Sequence, residues 1–215
     1  MNYINTYLER DIQQLSNVGK LHEFTVFLAY VAARTAQELT YADIANAIGI
    51  TTPTVKAWIS ILKRSGVIAL LEPYHNNISN RLVKRPKLYF MDTGLAAYLC
   101  RWQSAQTLEA GAMDSAFLET YVVTEIMKSY MHTGEQAHLY YYRDIDKKEI
   151  DLLIIEENRC YPIEIKKAKH PQHADKNFSA LQRFGLEIQS GLIMCLCDDL
   201  VPANRDTWYC PISLV

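Results

Sequence analysis

Two acids and a lysine stand in a stretch that otherwise has the pattern of an apolar hairpin. Residues 149–167 read EIDLLIIEENRCYPIEIKK, which predicts two apolar strands joined by the polar turn EENRC. Asp151 stands near the start of the first strand, and Glu164 and Lys166 stand in the second. Because side chains alternate along a strand, Glu164 and Lys166 point to one face, and Asp151 on the adjacent strand can lie beside them.

This pattern is typical of metal-dependent phosphodiester chemistry. Two neighbouring carboxylates repel each other, and both stay ionised most easily when a cation joins them. Carboxylate oxygens, waters and substrate phosphate suit Mg²⁺ or Mn²⁺, and a lysine beside them can stabilise developing charge or orient an attacking water. Asp151 and Glu164 are therefore the expected metal ligands, with Glu149 expected on the opposite face. The alternative is a surface ion pair between Glu164 and Lys166.

The elements around this hairpin predict an α/β sandwich with a mixed sheet. An amphipathic helix is expected over residues 115–130 (SAFLETYVVTEIMKSY), with Glu119 and Glu125 interrupting its apolar stripe. Strands are expected at HLYYYR, EIDLLII, YPIEIKK, GLIMCLC and TWYCPISL, and a helix at Phe178–Phe184.

The first half of the chain has the order of elements of a winged helix. Helices are expected over Met1–Gln14 and from His22 to about Ala36. The segment TYADIANAIGITTPTVKAWISILKR then predicts two short helices, the first capped by Thr40 and the second by Thr52. Two strands, VIALLEPY and KLYFMD, follow around the basic loop HNNISNRLVKRP, as in the hairpin of a wing.

A basic surface in this half predicts contact with DNA phosphates. Residues 56–87 hold seven basic residues and one acid, Glu72, in a chain whose formal net charge is −2. The second helix of such a pair can enter a major groove while the wing contacts phosphates. The expected nucleic-acid contacts are Lys56, Lys63, Arg64, Arg81, Lys84, Arg85 and Lys87. Winged helices that only join domains or bind other proteins are the alternative.

Length and composition set the class of protein. The chain has 215 residues, of which 49% are hydrophobic and 21% charged, as expected of a globular protein with one large or two small domains. No apolar run is long enough to predict a membrane span, and no secretory signal is expected. Five cysteines, an odd number, are interpreted as reduced thiols of a cytoplasmic protein. Weak periodicity near residues 103–112 divides the chain into domains at 1–105 and 106–215.

Asp151 followed by Glu164, Ile165 and Lys166 resembles the PD-(D/E)XK nuclease superfamily. The resemblance implies a restriction-endonuclease-like fold in residues 106–215, in which the two acids bind metal and the lysine assists hydrolysis. A glutamate on the preceding helix often completes such a site, and FLET matches its place in the Holliday-junction resolvase branch. Glu119 is therefore chosen over Glu125. Ile150 departs from the family, which commonly has proline there.

A longer resemblance covers essentially the whole chain. The segments YINTYLERDI, LYFMDTGLAAYL, FLETYVVTEI, YYYRDIDKKEIDLLI and YPIEIKKAKHP together resemble the C-terminal half of a widespread group of prokaryotic AAA+ ATPases, a half catalogued as a domain of unknown function. This implies that the chain is part of a longer protein and works with an ATPase domain. The chain has no G-x-x-x-x-G-K-[ST], so no ATP hydrolysis is expected of it.

The expected function is therefore DNA binding with magnesium- or manganese-dependent DNA cleavage. A catalytically inactive scaffold for DNA or proteins is the first alternative, and an interaction domain for a partner protein is the second. An oligomer is compatible with the sequence.

Overall fold

The computed structural model describes residues 21–75, 85–135 and 137–215. The helix expected over Met1–Gln14 and the wing residues Arg81 and Lys84 lie outside the described residues.

The described chain alternates short helices and strands, with one long helix near its middle. The helices are α1 Leu21–Ala32, α2 Tyr41–Ile48, α3 Thr52–Arg64, α4 Thr93–Leu99, α5 Ala105–Glu109 and α6 Asp114–Thr133. The strands are β1 Gln37–Glu38, β2 Ile68–Leu71, β3 Lys87–Phe90, β4 Leu139–Arg143, β5 Glu149–Glu156, β6 Arg159–Ile165, β7 Glu187–Ile188, β8 Gly191–Cys195, β9 Val201–Pro202 and β10 Thr207–Pro211. Two 3-10 segments complete the chain, at Ala174–Phe184 and Ile212–Leu214.

Local signals explain the pair of helices α2 and α3. Gly49 ends α2 with φ at 78°, a left-handed conformation that glycine adopts without the steric cost of a side chain. The cap of α3 is Thr51 rather than the expected Thr52, because the Thr51 hydroxyl accepts the backbone N–H of Thr54 at 3.3 Å. Pro53 falls in the first turn, where a missing backbone donor costs nothing.

Helices α1 to α3 and a small sheet form the winged-helix arrangement. The sheet has the order β1-β3-β2, and both pairs of neighbours are antiparallel. Buried apolar side chains of α1 and α3 form its core, with Trp58 packed edge-on against Phe24 and Phe27.

The second half has the predicted mixed sheet with helix α6 packed against it. Its strand order is β4-β5-β6-β8-β10-β9, and β7 pairs with β6 outside that order. Strand β8 runs parallel to β6 and to β10, whereas β4, β5 and β6 are antiparallel neighbours. The helix expected at Phe178–Phe184 is the end of the longer 3-10 segment.

The two halves share a hydrophobic core. Leu71 and Tyr89, from the winged-helix sheet, are buried in one cluster with Val122 of α6 and Leu152 of β5. The chain after β2 continues along the outer edge of β4, where the backbone N–H of Tyr74 donates to the carbonyl of Tyr141 at 2.6 Å. Docking of the winged helix therefore completes the core of the second half.

We expect Leu71→Ala to destabilise both halves together. Leu71 is 1% exposed, and truncating a buried leucine costs about 2–5 kcal/mol through lost burial and the cavity left behind. The matched control is Val26→Ala on the exposed side of α1, which we expect to change stability by less than about 0.5 kcal/mol. Urea denaturation followed by tryptophan fluorescence and by circular dichroism measures both. Two separate transitions, only one of which moves, would contradict the shared core.

Candidate acidic site and basic face

The structure brings Asp151, Glu164 and Lys166 together at one end of the β5–β6 hairpin. Leu152 pairs with Ile163, and this register sets Asp151 beside Glu164. One oxygen of Asp151, Oδ2, accepts the backbone N–H of Ile165 at 2.8 Å. The ammonium of Lys166 lies 2.6 Å from Glu164 Oε1 and 3.7 Å from Asp151 Oδ2. These three predicted residues therefore form one cluster.

Both acids of this hairpin are buried. Asp151 is 8% exposed and Glu164 is 6% exposed. Glu164 Oε2 has no hydrogen-bond partner in the described structure. Burial, followed by the neighbouring charge of Asp151, raises the pKa of Glu164 to about 7, although Lys166 opposes the shift. The site thus holds an unmet acceptor at the place where a cation would reduce the cost of two close carboxylates.

Glu119, on helix α6, faces the same cluster. Its Oε1 accepts hydrogen bonds from Lys87 Nζ at 2.8 Å and from Tyr89 Oη at 2.7 Å. Burial raises the pKa of Glu119 to about 7 against the opposing charge of Lys87, and Asp151 adds to the rise. Glu125, the alternative on this helix, instead pairs with Lys128 at 2.7 Å.

Lys87 and Glu149 have roles that differ from those expected of them. Lys87 is 3% exposed, and its ammonium lies between Glu119 and Glu149, 2.5 Å from Glu149 Oε1. The prediction that Lys87 contacts DNA phosphate is therefore corrected, because its charge is buried and already paired. Glu149 also lies on the face of Asp151, since residues two apart on a strand share a face. That rule was the signal in the sequence that could have placed Glu149.

The side chains at this place limit the kind of metal site that can form. Among residues 21–75, 85–135 and 137–215, no group of three or more histidines, cysteines or acids is arranged to hold a metal ion. Mg²⁺ is commonly held by one or two carboxylates, with waters and substrate phosphate as its remaining ligands. Asp151 and Glu164, with the unpaired Oε2, fit this kind of site and do not fit an all-protein cage.

A basic face lies on helix α3. Lys56, Lys63 and Arg64 are exposed, whereas the apolar side chains of the same helix are buried in the core. Arg85, at the base of the wing, is also exposed, and its Nη1 donates to Thr40 Oγ1 at 3.2 Å. These four predicted cations are therefore available to solvent.

We expect Glu164→Gln to gain stability relative to the natural protein as the pH rises. The pKa of Glu164 is raised in the folded chain, so this group makes folding less favourable as the pH rises from about 4.5 to about 7. Glutamine carries no charge at any pH. At about 1.4 kcal/mol per unit of pKa shift, we expect a relative gain of about 1–3 kcal/mol between pH 5 and pH 8.

Urea denaturation at the two pH values measures this gain. Glu157→Gln, in the exposed turn after β5, is the matched control for the change of net charge. If the difference in free energy of unfolding between Glu164→Gln and the natural protein is the same at both pH values, burial does not control the pKa of this carboxylate.

Two family models match the chain side by side. Residues 1–106 match a domain of unknown function, DUF8612, and residues 114–215 match another, DUF4143. No helix in the described parts of the chain has the length and apolar character needed to cross a membrane.

Two curated relatives are similar over 181 residues at 29% identity. They are the "Uncharacterized protein Mb2031c" of Mycobacterium bovis and the "Uncharacterized protein Rv2008c" of Mycobacterium tuberculosis. The match covers 83% of this chain and 40% of each relative, so the chain spans less than half the length of these relatives.

Solved structures of MepR are weakly similar. MepR, a transcription regulator of the Staphylococcus aureus multidrug efflux pump MepA, matches at 21% identity with a TM-score of 0.27, over 63% of this chain and 86% of that one. A mutant of MepR from a multidrug resistant S. aureus clinical isolate has a TM-score of 0.29, also at 21% identity, over 62% of this chain and 96% of that one. Similarity this weak carries no argument about the fold, so the winged-helix arrangement is inferred from the helices and strands of this chain. The chain is thus similar to the DUF8612 model over residues 1–106 and to the DUF4143 model over residues 114–215.

Proposed function

We propose that the chain binds DNA through its winged helix and hydrolyses DNA phosphodiester bonds with Mg²⁺ or Mn²⁺. The proposed site of hydrolysis is the acidic hairpin, the part of β5 and β6 that carries Asp151, Glu164 and Lys166. The observation that carries the proposal is the pair of buried carboxylates, Asp151 and Glu164, with an unpaired oxygen and Lys166 beside them. In this proposal residues 106–215 adopt a restriction-endonuclease-like fold, with Asp151, Glu164, Lys166 and Glu119 as catalytic residues.

The basic face of α3 supports the DNA-binding part of the proposal. Its exposed lysines and arginine lie on the helix that a winged helix presents to the major groove. Arg85 extends this positive surface to the base of the wing. Such contacts hold phosphates and give binding that depends steeply on salt.

Each residue of the acidic site has a distinct part. Asp151 is held by the backbone N–H of Ile165, so one of its oxygens is fixed relative to Glu164. The side chain of Lys166 is 42% exposed, and its ammonium can therefore turn from Glu164 to a phosphate oxygen. A divalent cation bound by Asp151 and Glu164 would activate water and neutralise charge on the phosphate. Glu119 would orient that water.

We infer that an AAA+ ATPase domain is the partner of these modules in a longer cytoplasmic protein. The resemblance to the C-terminal half of AAA+ ATPases supports this inference, and so does the greater length of the curated relatives. The ATPase would supply the mechanical work, and this chain would supply the contact with DNA.

Asp151→Ala is expected to abolish Mn²⁺-dependent cleavage of DNA without unfolding the chain. Calorimetry should show Mn²⁺ binding to the natural protein and none to the Asp151→Ala, Glu164→Ala double variant, because both carboxylate ligands are lost. Asp198→Ala is the matched control, since Asp198 is an exposed acid paired with Lys169. Cleavage that persists in Asp151→Ala would refute the catalytic assignment. Branched and single-stranded DNA are the substrates to test first.

The Lys56→Gln, Lys63→Gln variant is expected to bind duplex DNA more weakly at every salt concentration. Each phosphate contact removed should lower the slope of log affinity against log salt by about 1. Fluorescence anisotropy over a range of salt concentrations measures the slope, with Arg205→Gln, an exposed arginine of the second half, as the control. An unchanged slope would exclude α3 as the phosphate-binding face.

A scaffold without catalysis is the second candidate function. The observation in its favour is that the acids already form ion pairs with lysines, Lys87 between Glu119 and Glu149 and Lys166 beside Glu164. Tight binding of DNA with no metal-dependent cleavage would support this candidate over the nuclease.

A further inference from the structure

Two side chains of strand β3 donate hydrogen bonds to a single carboxylate oxygen of the acidic site. Lys87 and Tyr89 are two residues apart on β3, so they share a face. Their polar atoms lie 2.8 Å and 2.7 Å from Glu119 Oε1. Tyr89 is fully buried in the shared core. The winged helix thus reaches into the site and fixes the carboxylate of Glu119.

Burial makes this contact hard to break. The ammonium of Lys87 also lies 2.5 Å from Glu149 Oε1 and 5.5 Å from the centre of the Tyr141 ring. Burial alone would lower the pKa of Lys87, but Glu119, Glu149 and Asp151 outweigh it and raise the pKa above its usual value. A buried ammonium left without partners is strongly unfavourable. The contacts that join β3 to α6 and β5 therefore also hold the carboxylate of Glu119 in place.

A second strand of the winged helix joins the same network. Glu149 Oε2 lies 3.6 Å from Arg143 Nε, and Arg143 Nη1 lies 3.0 Å from Glu38 Oε1. Glu38 belongs to β1, which pairs with β3 in register with Lys87. The charges next to the acidic site are thus held by both β1 and β3.

The segment just before β3 connects the acidic site to the basic face. Arg85 stands two residues before Lys87, and its backbone carbonyl accepts the hydroxyl of Tyr141 at 2.5 Å. Its guanidinium bonds to Thr40, the residue before α2. A phosphate bound by Arg85 would therefore restrain the backbone that carries Lys87 and Tyr89.

We propose that Lys87 and Tyr89 are positioning residues for Glu119, through which DNA on the winged helix and a divalent cation at the acidic hairpin strengthen each other's binding. This inference rests on the proposed function, since it concerns the same acidic site. Coupling between two binding events is reciprocal, so either ligand must raise the affinity of the chain for the other by the same factor.

The test is Mn²⁺ calorimetry on the full chain, with and without saturating short duplex DNA. We expect duplex to tighten Mn²⁺ binding by about 5-fold or more in the natural protein. Lys87→Met and Tyr89→Phe should still bind Mn²⁺ through Asp151 and Glu164 but lose most of this gain. Lys128→Met is the matched control, because Lys128 forms a partly exposed ion pair with Glu125 on α6, the helix that carries Glu119. This variant should keep the gain.

The variants separate positioning from folding and from the proposed function. Tyr89→Phe removes one hydroxyl and no charge. If Lys87→Met does not fold, Tyr89→Phe alone tests whether the contacts to Glu119 carry the coupling. Equal Mn²⁺ affinity with and without duplex would overturn the coupling, as would a gain that survives in Tyr89→Phe. If Asp151→Ala abolishes Mn²⁺ binding but duplex DNA leaves the Mn²⁺ affinity of the natural protein unchanged, this inference alone is overturned. No Mn²⁺ binding by the natural protein, even with duplex, would overturn the proposed function with it.

Discussion

The burial of the Lys87 ammonium between Glu119 and Glu149 is the interaction on which the arrangement of the two halves depends. A charge of this kind is tolerated in a protein interior only when its partners surround it. Those partners come from helix α6 and strand β5, whereas the lysine comes from the winged-helix sheet. The three elements must therefore meet at one place, and the acidic cluster lies at the seam where they do. Tyr89 adds apolar burial to the same seam.

Electrostatic balance explains why so many carboxylates can gather there. Repulsion among the acids and the loss of hydration both favour their protonated forms, and the raised pKa values of Glu119 and Glu164 reflect this. Lys87 and Lys166 oppose the effect without removing it. Asp151 and Glu164 share one close ammonium group, that of Lys166, and Glu164 Oε2 has no hydrogen-bond partner in the described structure. A cation at that oxygen would reduce the repulsion between the two carboxylates.

Patterns local in the sequence were predictable, and contacts between distant segments were not. Strand alternation and the turn between β5 and β6 sufficed to bring Asp151, Glu164 and Lys166 together. The helix pair α2–α3 followed from apolar periodicity and from the breaker Gly49. By contrast, Lys87 was expected on the DNA surface, because a lysine in a basic stretch has the same local signal whether exposed or buried. Its partner Glu119 stands 32 residues away, and only the docking of β3 on α6 joins them.

The backbone pairing of Tyr74 with Tyr141 also closes one open side of the large sheet. An uncovered edge strand offers free N–H and C=O groups to any other extended chain, and this is a common route to aggregation. At the opposite side the sheet ends in β9, a strand of two residues that includes Pro202, and proline cannot donate to a further strand. The two edges are thus protected in different ways, one by a short strand and the other only by the winged helix. Residues 114–215 produced alone would therefore leave backbone N–H and C=O groups at the edge of β4 unpaired and open to aggregation.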